Sequence, residues 1–180
     1  MPEAQSVSNL LSTIAIGKLS SSPIGPLWIA VTTHGLVRVE WDMSVAEFIN
    51  LVSTTHAAPV IYDDSRTSSA LQQLSEYLQG TRRQFTIPLD LASLTSFQCR
   101  VLQLTAQIPY GQTLTYKDLA VQVGKPKAAR AVGRVEATNP IPLVIPCHRV
   151  LGSDGSLHGY GGPGGIKLKA WLLDLEHSAV

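Results

Sequence analysis

The chain has 180 residues, enough for one medium domain or two small ones, and its 44% apolar and 15% charged content describes a folded protein rather than a disordered one. No run approaches the roughly 20 apolar residues that cross a bilayer, Lys18 is the first positive charge, and two cysteines cannot make a disulfide framework; no membrane span, secretory leader or oxidising compartment is expected. The net charge of +1 argues against indiscriminate binding to polyanions, yet residues 111–150 concentrate six basic side chains (Lys117, Lys125, Lys127, Arg130, Arg134, Arg149) against Asp118 and Glu136, the outline of a phosphate-contacting segment or of a merely solvated face.

From Ile14 to Trp41, β-prone segments at 27–33 and 36–41 alternate with turn clusters at 20–26 and at His34-Gly35, which predicts antiparallel strands and hairpins. Residues 67–79 place Leu71, Leu74 and Leu78 at helical spacing, and Gly80 stops them. The stretch 85–91 is short, contains proline and has no helical period, so it reads as a linker. The chain then divides into a small α/β domain over 1–91 and a mostly helical one over 92–180.

The next helix is expected from about Leu94 to Ile108, with Phe97, Val101, Leu104 and Ile108 as its buried stripe. At ~100° per residue, Cys99 falls roughly opposite that stripe, and no neighbour but Arg100 would activate it. Thr115-Tyr116-Lys117-Asp118 has capping-box spacing and opens a short helix that Gly124 ends. After Lys125-Pro126 a second helix is predicted over about 127–137, broken by Asn139-Pro140. Two short helices joined by a tight turn are the outline of a helix-turn-helix. Ala128, Ala131, Val132 and Val135 would face inward, while Lys127, Arg130, Arg134 and Ala137 form an outer stripe. Gly133 inside a helix costs ~1 kcal/mol relative to alanine, which asks for a reason such as close approach of another backbone. Glu136 lies toward neither face and would repel phosphates if it reached them.

Beyond that helix stands Pro146-Cys147-His148-Arg149-Val150. A cysteine alone is most often an inert core thiol. Here His148 and Arg149 adjoin it, and a base or cation that favours the thiolate makes a nucleophile. Adjacent side chains usually point apart, so Cys147 and His148 need a turn or a bridging water. A carboxylate to orient the imidazole would complete the set. In the C-terminal helix, Leu168, Trp171, Leu172 and Leu175 form the expected buried stripe. Glu176 falls at its edge, as a cap or as that partner, and Asp174 points away.

At these residues the chain resembles the O6-alkylguanine-DNA alkyltransferase family, in Ile145-Pro146-Cys147-His148-Arg149-Val150, Ala129-Arg130-Ala131-Val132-Gly133, Asn139-Pro140 and Gly159-Tyr160-Gly161-Gly162, and in its N-terminal part in 22–27 and Glu76-Tyr77-Leu78. The resemblance implies an α+β fold: an RNase-H-like N-terminal domain, then a winged-helix-like C-terminal domain with a helix-turn-helix. It implies direct-reversal DNA repair, in which the alkyl group of O6-alkylguanine, with O4-alkylthymine as a further substrate, moves irreversibly to Cys147, once per molecule. Cys147 would be activated through His148, a water and Glu176, with Asn139 bracing the turn and Tyr160 assisting departure of the guanine. Arg130 would replace the extruded base and Tyr116 would rotate the target nucleotide, while Lys127, Ala131, Gly133 and Arg134 complete the DNA contacts in the minor groove. Val150, Ser153, Tyr160 and Gly161 would line the pocket, the carbonyls of Cys147 and Val150 reading the guanine amino group. The implied partner is double-stranded DNA carrying the lesion, with cooperative self-association along it, no cofactor and no metal, in the cytoplasm at the nucleoid or in a nucleus.

Three features depart from the family pattern: a glycine loop at 161–165 about two residues longer than in many relatives, Glu136 where a neutral residue is common, and the lack of a cysteine set for an N-terminal zinc module. The competing readings are a lesion-binding module that does no chemistry and a Cys-His hydrolase with repeated turnover.

Overall fold

The computed structural model describes residues 13–158, 160–161 and 164–178. Gly159, Gly162 and Pro163 of the glycine loop therefore lie outside the described residues. The chain divides into two compact units, one made of the described residues up to Gln79 with Phe85–Ser93, the other of Gly80–Gln84 with the described residues from Leu94 onward.

In the first unit, β1 (Ile14–Leu19), β2 (Leu27–Val31), β3 (Leu36–Trp41) and β4 (Val60–Tyr62) form a sheet of order β3-β2-β1-β4. The first three strands are antiparallel as expected, while β4 adds in parallel to β1, with Ile14 opposite Val60. Helix α1 (Val45–His56) makes that crossover, capped by Ser44 and Glu47. Its Phe48 and Val52 pack on Ile14, Ile16, Trp28, Ala30 and Val37 of one sheet face. Side chains alternate along a strand, so Gly17 presents the other face. There α2 (Asp64–Leu78) comes so close that a Cβ on Gly17 would lie 2.5 Å from Thr67 Oγ1. Helix α2 starts three residues earlier than the leucine spacing suggests, because the Asp63 carboxylate accepts from the Ser65 and Arg66 amides.

The 85–91 stretch is not slack. Leu36 N donates to Pro88 O at 2.8 Å, Asp90 N donates to Leu36 O at 3.0 Å, and Gln73 holds Thr86 through its backbone and hydroxyl. The segment lacks periodicity because it is short edge backbone lying along β3 rather than a linker.

The second unit holds α3 (Ser96–Thr105), β5 (Leu114–Thr115), α4 (Tyr116–Gln122), α5 (Ala129–Ala137), a 3-10 turn at Cys147–Arg149, β6 (Val150–Leu151) parallel to β5, and α6 (Gly165–Ser178). Helix α3 is shorter than expected at both ends. Thr95 caps it, and Ala106 to Ile108 tighten into turns with Gln107 N on Leu104 O and Ile108 N on Thr105 O. Its buried side is Val101, Leu102 and Thr105, with Phe97 and Leu104 half-buried, so the stripe is rotated from the expected one. The Thr115–Asp118 capping box forms as predicted, and Gly124 takes φ +74° after α4. Helix α5 begins at Ala129 rather than near Lys127.

Candidate active site

Every residue from Pro140 to Val150 is buried, so the approach to Cys147 is core chain rather than surface loop. Asn139 sets its course: Nδ2 donates to Ile145 O at 2.9 Å, while Oδ1 accepts from Ile141 N at 3.0 Å. One side chain thus pins both ends of a bend that also holds Leu143 at φ 73°. Cys147 N then donates to Ile145 O, and the 3-10 turn closes with Val150 N on Cys147 O. This is the turn that adjacent Cys147 and His148 require.

Beyond it lies a buried polar cluster centred on Glu176. His148 Nε2 stands 2.9 Å from Glu176 Oε1. Arg149 Nε donates to both carboxylate oxygens at 3.1 and 2.9 Å, Nη2 donates to Oε1 at 2.8 Å, and Gly111 N donates to Oε2 at 3.0 Å. Arg149 Nη1 donates to Ile108 O at 2.6 Å, and the guanidinium lies over the Tyr110 ring. Glu176 and His148 are wholly buried and Arg149 nearly so. Two expectations are corrected here. Arg149 belongs to no phosphate-contacting face, and Glu176 is no edge residue but the acceptor for an arginine, a histidine and a backbone amide.

Burial opposes ionisation of Glu176, but hydrogen bonds from His148 and Arg149 and their charge outweigh it and hold the carboxyl far below its usual value. Burial pulls His148 below its usual value despite Glu176, which leaves the resting imidazole neutral. A carboxylate can only accept, so Nε2 carries the ring proton and Nδ1 carries the lone pair. Burial pushes the Cys147 thiol up to about 12, with Glu136 adding to the rise and Asn139 and Lys169 opposing it. The resting thiol is therefore protonated. A base has to take the proton when substrate is present.

Tyr160 is buried, and its hydroxyl has no hydrogen-bond partner among the described residues. Such a donor is costly unless something fills the role. Val150 O accepts from Lys169 Nζ at 2.6 Å and Cys147 O from Val150 N, so each carbonyl keeps only its second lone pair for a ligand. Ser153 is exposed in a turn, and Gly161 lies against the Ala137 carbonyl. No described hydrogen bond ties either to the thiol.

Lys127 before α5 and Arg130, Arg134 and Ala137 on it are exposed as expected, and so is Ala131, which was expected inside. Val132, Val135 and Glu136 face inward. A Cβ on Gly133 would meet the Tyr116 ring at 3.8 Å, an ordinary contact, so no backbone presses on this glycine. Tyr116 is half-buried and donates to His158 O at 3.1 Å. Sequence reasoning missed Lys169, which is wholly buried with its ammonium on Val150 O, His158 O and Tyr116 Oη. Periodicity could have found it: Lys169, Leu172 and Glu176 lie at i, i+3 and i+7 on one helix face.

Residues 16–91 match the family model for the 6-O-methylguanine DNA methyltransferase ribonuclease-like domain, and residues 96–178 that for the 6-O-methylguanine DNA methyltransferase DNA binding domain. A methylated-DNA–protein-cysteine methyltransferase of Mycobacterium bovis is 45% identical over 157 residues, covering 87% of this chain and 89% of the relative. The inducible enzyme of that name from Bacillus subtilis is 43% identical over 154 residues, 84% of each chain. The crystal structure of Mycobacterium tuberculosis OGT in complex with DNA resembles this chain with a TM-score of 0.77 at 39% identity, covering 93% of this chain and 94% of that one. Sheet domain and helical domain are those the sequence resemblance implied.

Proposed function

The chain belongs to the 6-O-methylguanine DNA methyltransferase family, which repairs DNA directly by moving the alkyl group of O6-alkylguanine onto a cysteine of the protein, and we propose that Cys147 is that cysteine. The observation that carries the assignment is the wholly buried His148–Glu176 hydrogen bond one residue beyond the thiol, which supports Nδ1 as the base. Cys99 offers no comparable setting: it is half-buried on α3, with its Sγ against the Leu94 carbonyl.

The reaction follows from these groups. The lesion is drawn out of the duplex, because its O6-alkyl carbon is inaccessible within the stack. His148 Nδ1 takes the Cys147 proton, directly or through one water, and Glu176 stabilises the imidazolium. The sulfur attacks the alkyl carbon, a carbon–sulfur bond forms, and the bond from that carbon to O6 breaks. Tyr160 donates to the guanine as its negative charge grows. The product thioether has no group at hand to cleave it, so each molecule reacts once. Asn139 holds the turn, Arg130 fills the gap left in the stack, Tyr116 turns the nucleotide, and Lys127, Ala131, Gly133 and Arg134 meet the DNA. Ser153 and Gly161 would join Val150 around the base on ligand binding. The place of work is the compartment that holds the DNA, the cytoplasm at the nucleoid for a bacterial chain.

Cys147→Ala tests the assignment. The variant is expected to retain affinity for duplex DNA containing O6-methylguanine and to leave the lesion in place, read by gel shift and by base analysis. Lesion removal by the variant would transfer the chemistry to another residue. Intact protection of DNA in its absence would favour a lesion-binding module.

A further inference from the structure

Glu136 stands on α5, the helix whose opposite side is basic, yet it is 3% exposed and turned into the core. It follows Val132 by four residues, which puts it on the inward line rather than toward neither face. Its Oε1 lies 2.6 Å from Thr105 Oγ1, and that same hydroxyl lies 3.1 Å from Val101 O. A hydroxyl has one proton to give. When Thr105 gives it to Val101, as helical threonines do, the carboxyl has to be the donor and therefore the neutral acid. Glu136 Oε2 has no hydrogen-bond partner among the described residues, which is another cost that a charged carboxylate would bear more heavily than an acid.

Thr105 on α3 is hydrogen-bonded to this carboxyl, and Tyr116 on α4, Cys147 on the turn and Lys169 on α6 lie within its electrostatic reach. Lys169 is the cation of the set. Its ammonium is held by two carbonyls and a phenol rather than by a carboxylate, so its charge is open to whichever neighbour ionises.

We infer that Glu136 and Cys147 compete for one negative charge beside Lys169, so that Glu136 as neutral acid permits the thiolate and Glu136 as carboxylate opposes it. Glu136 is then a positioning residue that sets the readiness of the nucleophile without touching the substrate. The inference rests on the assignment of Cys147 as alkyl acceptor. Burial pushes Glu136 up to about 7, against the pull of Thr105 and Lys169, so the competition begins near neutrality. Below that point the thiol ionises without a like charge beside it. Above it, part of what hydroxide gains in making thiolate is lost to repulsion from the carboxylate.

Glu136→Gln keeps the length of the side chain and a group for Thr105 while removing the charge. The measurement is the single-turnover rate with the isolated base O6-benzylguanine, followed by intact-protein mass, so that DNA contacts of α5 do not enter. At about pH 5.5, where both forms are neutral, the variant and the parent are expected to react alike; above about pH 8 the variant is expected to be roughly tenfold faster, since a neighbouring like charge moves a pKa by about one unit or more. The ratio should rise with a midpoint near 7. A ratio that stays constant across the range overturns the inference, whatever the melting temperature does. Glu136→Met serves where the glutamine variant fails to fold, and it should give the same rising ratio. If Cys147 is not the acceptor, the parent protein itself gains no mass at that residue, which separates failure of the assignment from failure of this inference.

Discussion

Replacing Glu176 with alanine is expected to destabilise the protein by about 3–5 kcal/mol and to stop alkyl transfer at neutral pH, the stability loss following from a buried arginine stripped of its partner. Arg149 is 5% exposed and spends three of its contacts on this carboxylate. In a unit of this size that loss lowers the melting temperature by upwards of about 10 °C. Glu176→Gln keeps the shape and leaves the charge of Arg149 uncompensated, so it should show a smaller loss of the same kind. The pH dependence follows from the direction of the shift. The folded-state pKa of Glu176 is depressed, so its contribution is present above the unfolded value of ~4.3 and is lost as pH falls toward the folded one. Both variants should therefore flatten the acid limb of the stability curve. Catalysis gives a second readout: without Glu176 the imidazolium of His148 loses its counter-charge, and the rate should recover in part as pH rises and hydroxide replaces the base. Sequence reasoning set a structural cap and a catalytic partner against each other at this position. The geometry leaves room for both, because one oxygen of the carboxylate meets His148 and Arg149 together. Melting curves and single-turnover rates on the same variant should both move. A changed stability with an unchanged pH profile would leave Glu176 structural and His148 acting without it.

Arg130→Ala is expected to slow repair of a lesion in duplex DNA by about a hundredfold while leaving the reaction with isolated O6-benzylguanine within about twofold, since extruding a base costs a few kcal/mol and ~1.4 kcal/mol is a factor of ten. Arg130 is exposed on α5, between Lys127 and Arg134. It is joined by no described hydrogen bond to the buried cluster around Cys147. Its removal therefore withdraws a side chain from the exposed basic stripe without disturbing the core. Equal losses on both substrates would assign Arg130 to the pocket or the fold.

What the sequence made legible is what local physics governs. The strands of the first hairpins announced themselves by alternation, and the Thr115–Asp118 box and Gly124 marked both ends of α4 within a residue or two. Helix α1 carries equally local signals, the Ser44–Glu47 box and Phe48 four residues before Val52, which the strand and leucine patterns on either side leave out. Three other features were hidden for a physical reason. The parallel β1–β4 pair joins segments 46 residues apart at Ile14 and Val60, and no short-range pattern records it. The Arg149–Glu176 pair spans 27 residues, so nothing local to Arg149 marks it as a buried group rather than part of a basic face. Glu136 and Lys169 broke the rule that charged side chains face water, and only their registry with buried neighbours betrayed them. The Cys147 motif gave the chemistry, but its neighbours told nothing of burial, which pushes the thiol further from ionisation than an exposed cysteine.

The most direct test of the account is intact-protein mass spectrometry after incubation with duplex DNA containing O6-methylguanine, followed by peptide mapping. The protein should gain one methyl group, on Cys147, with Cys99 unmodified and the gain saturating at one lesion per molecule. Lesions removed in excess over protein, or lost without any gain in protein mass, would contradict it.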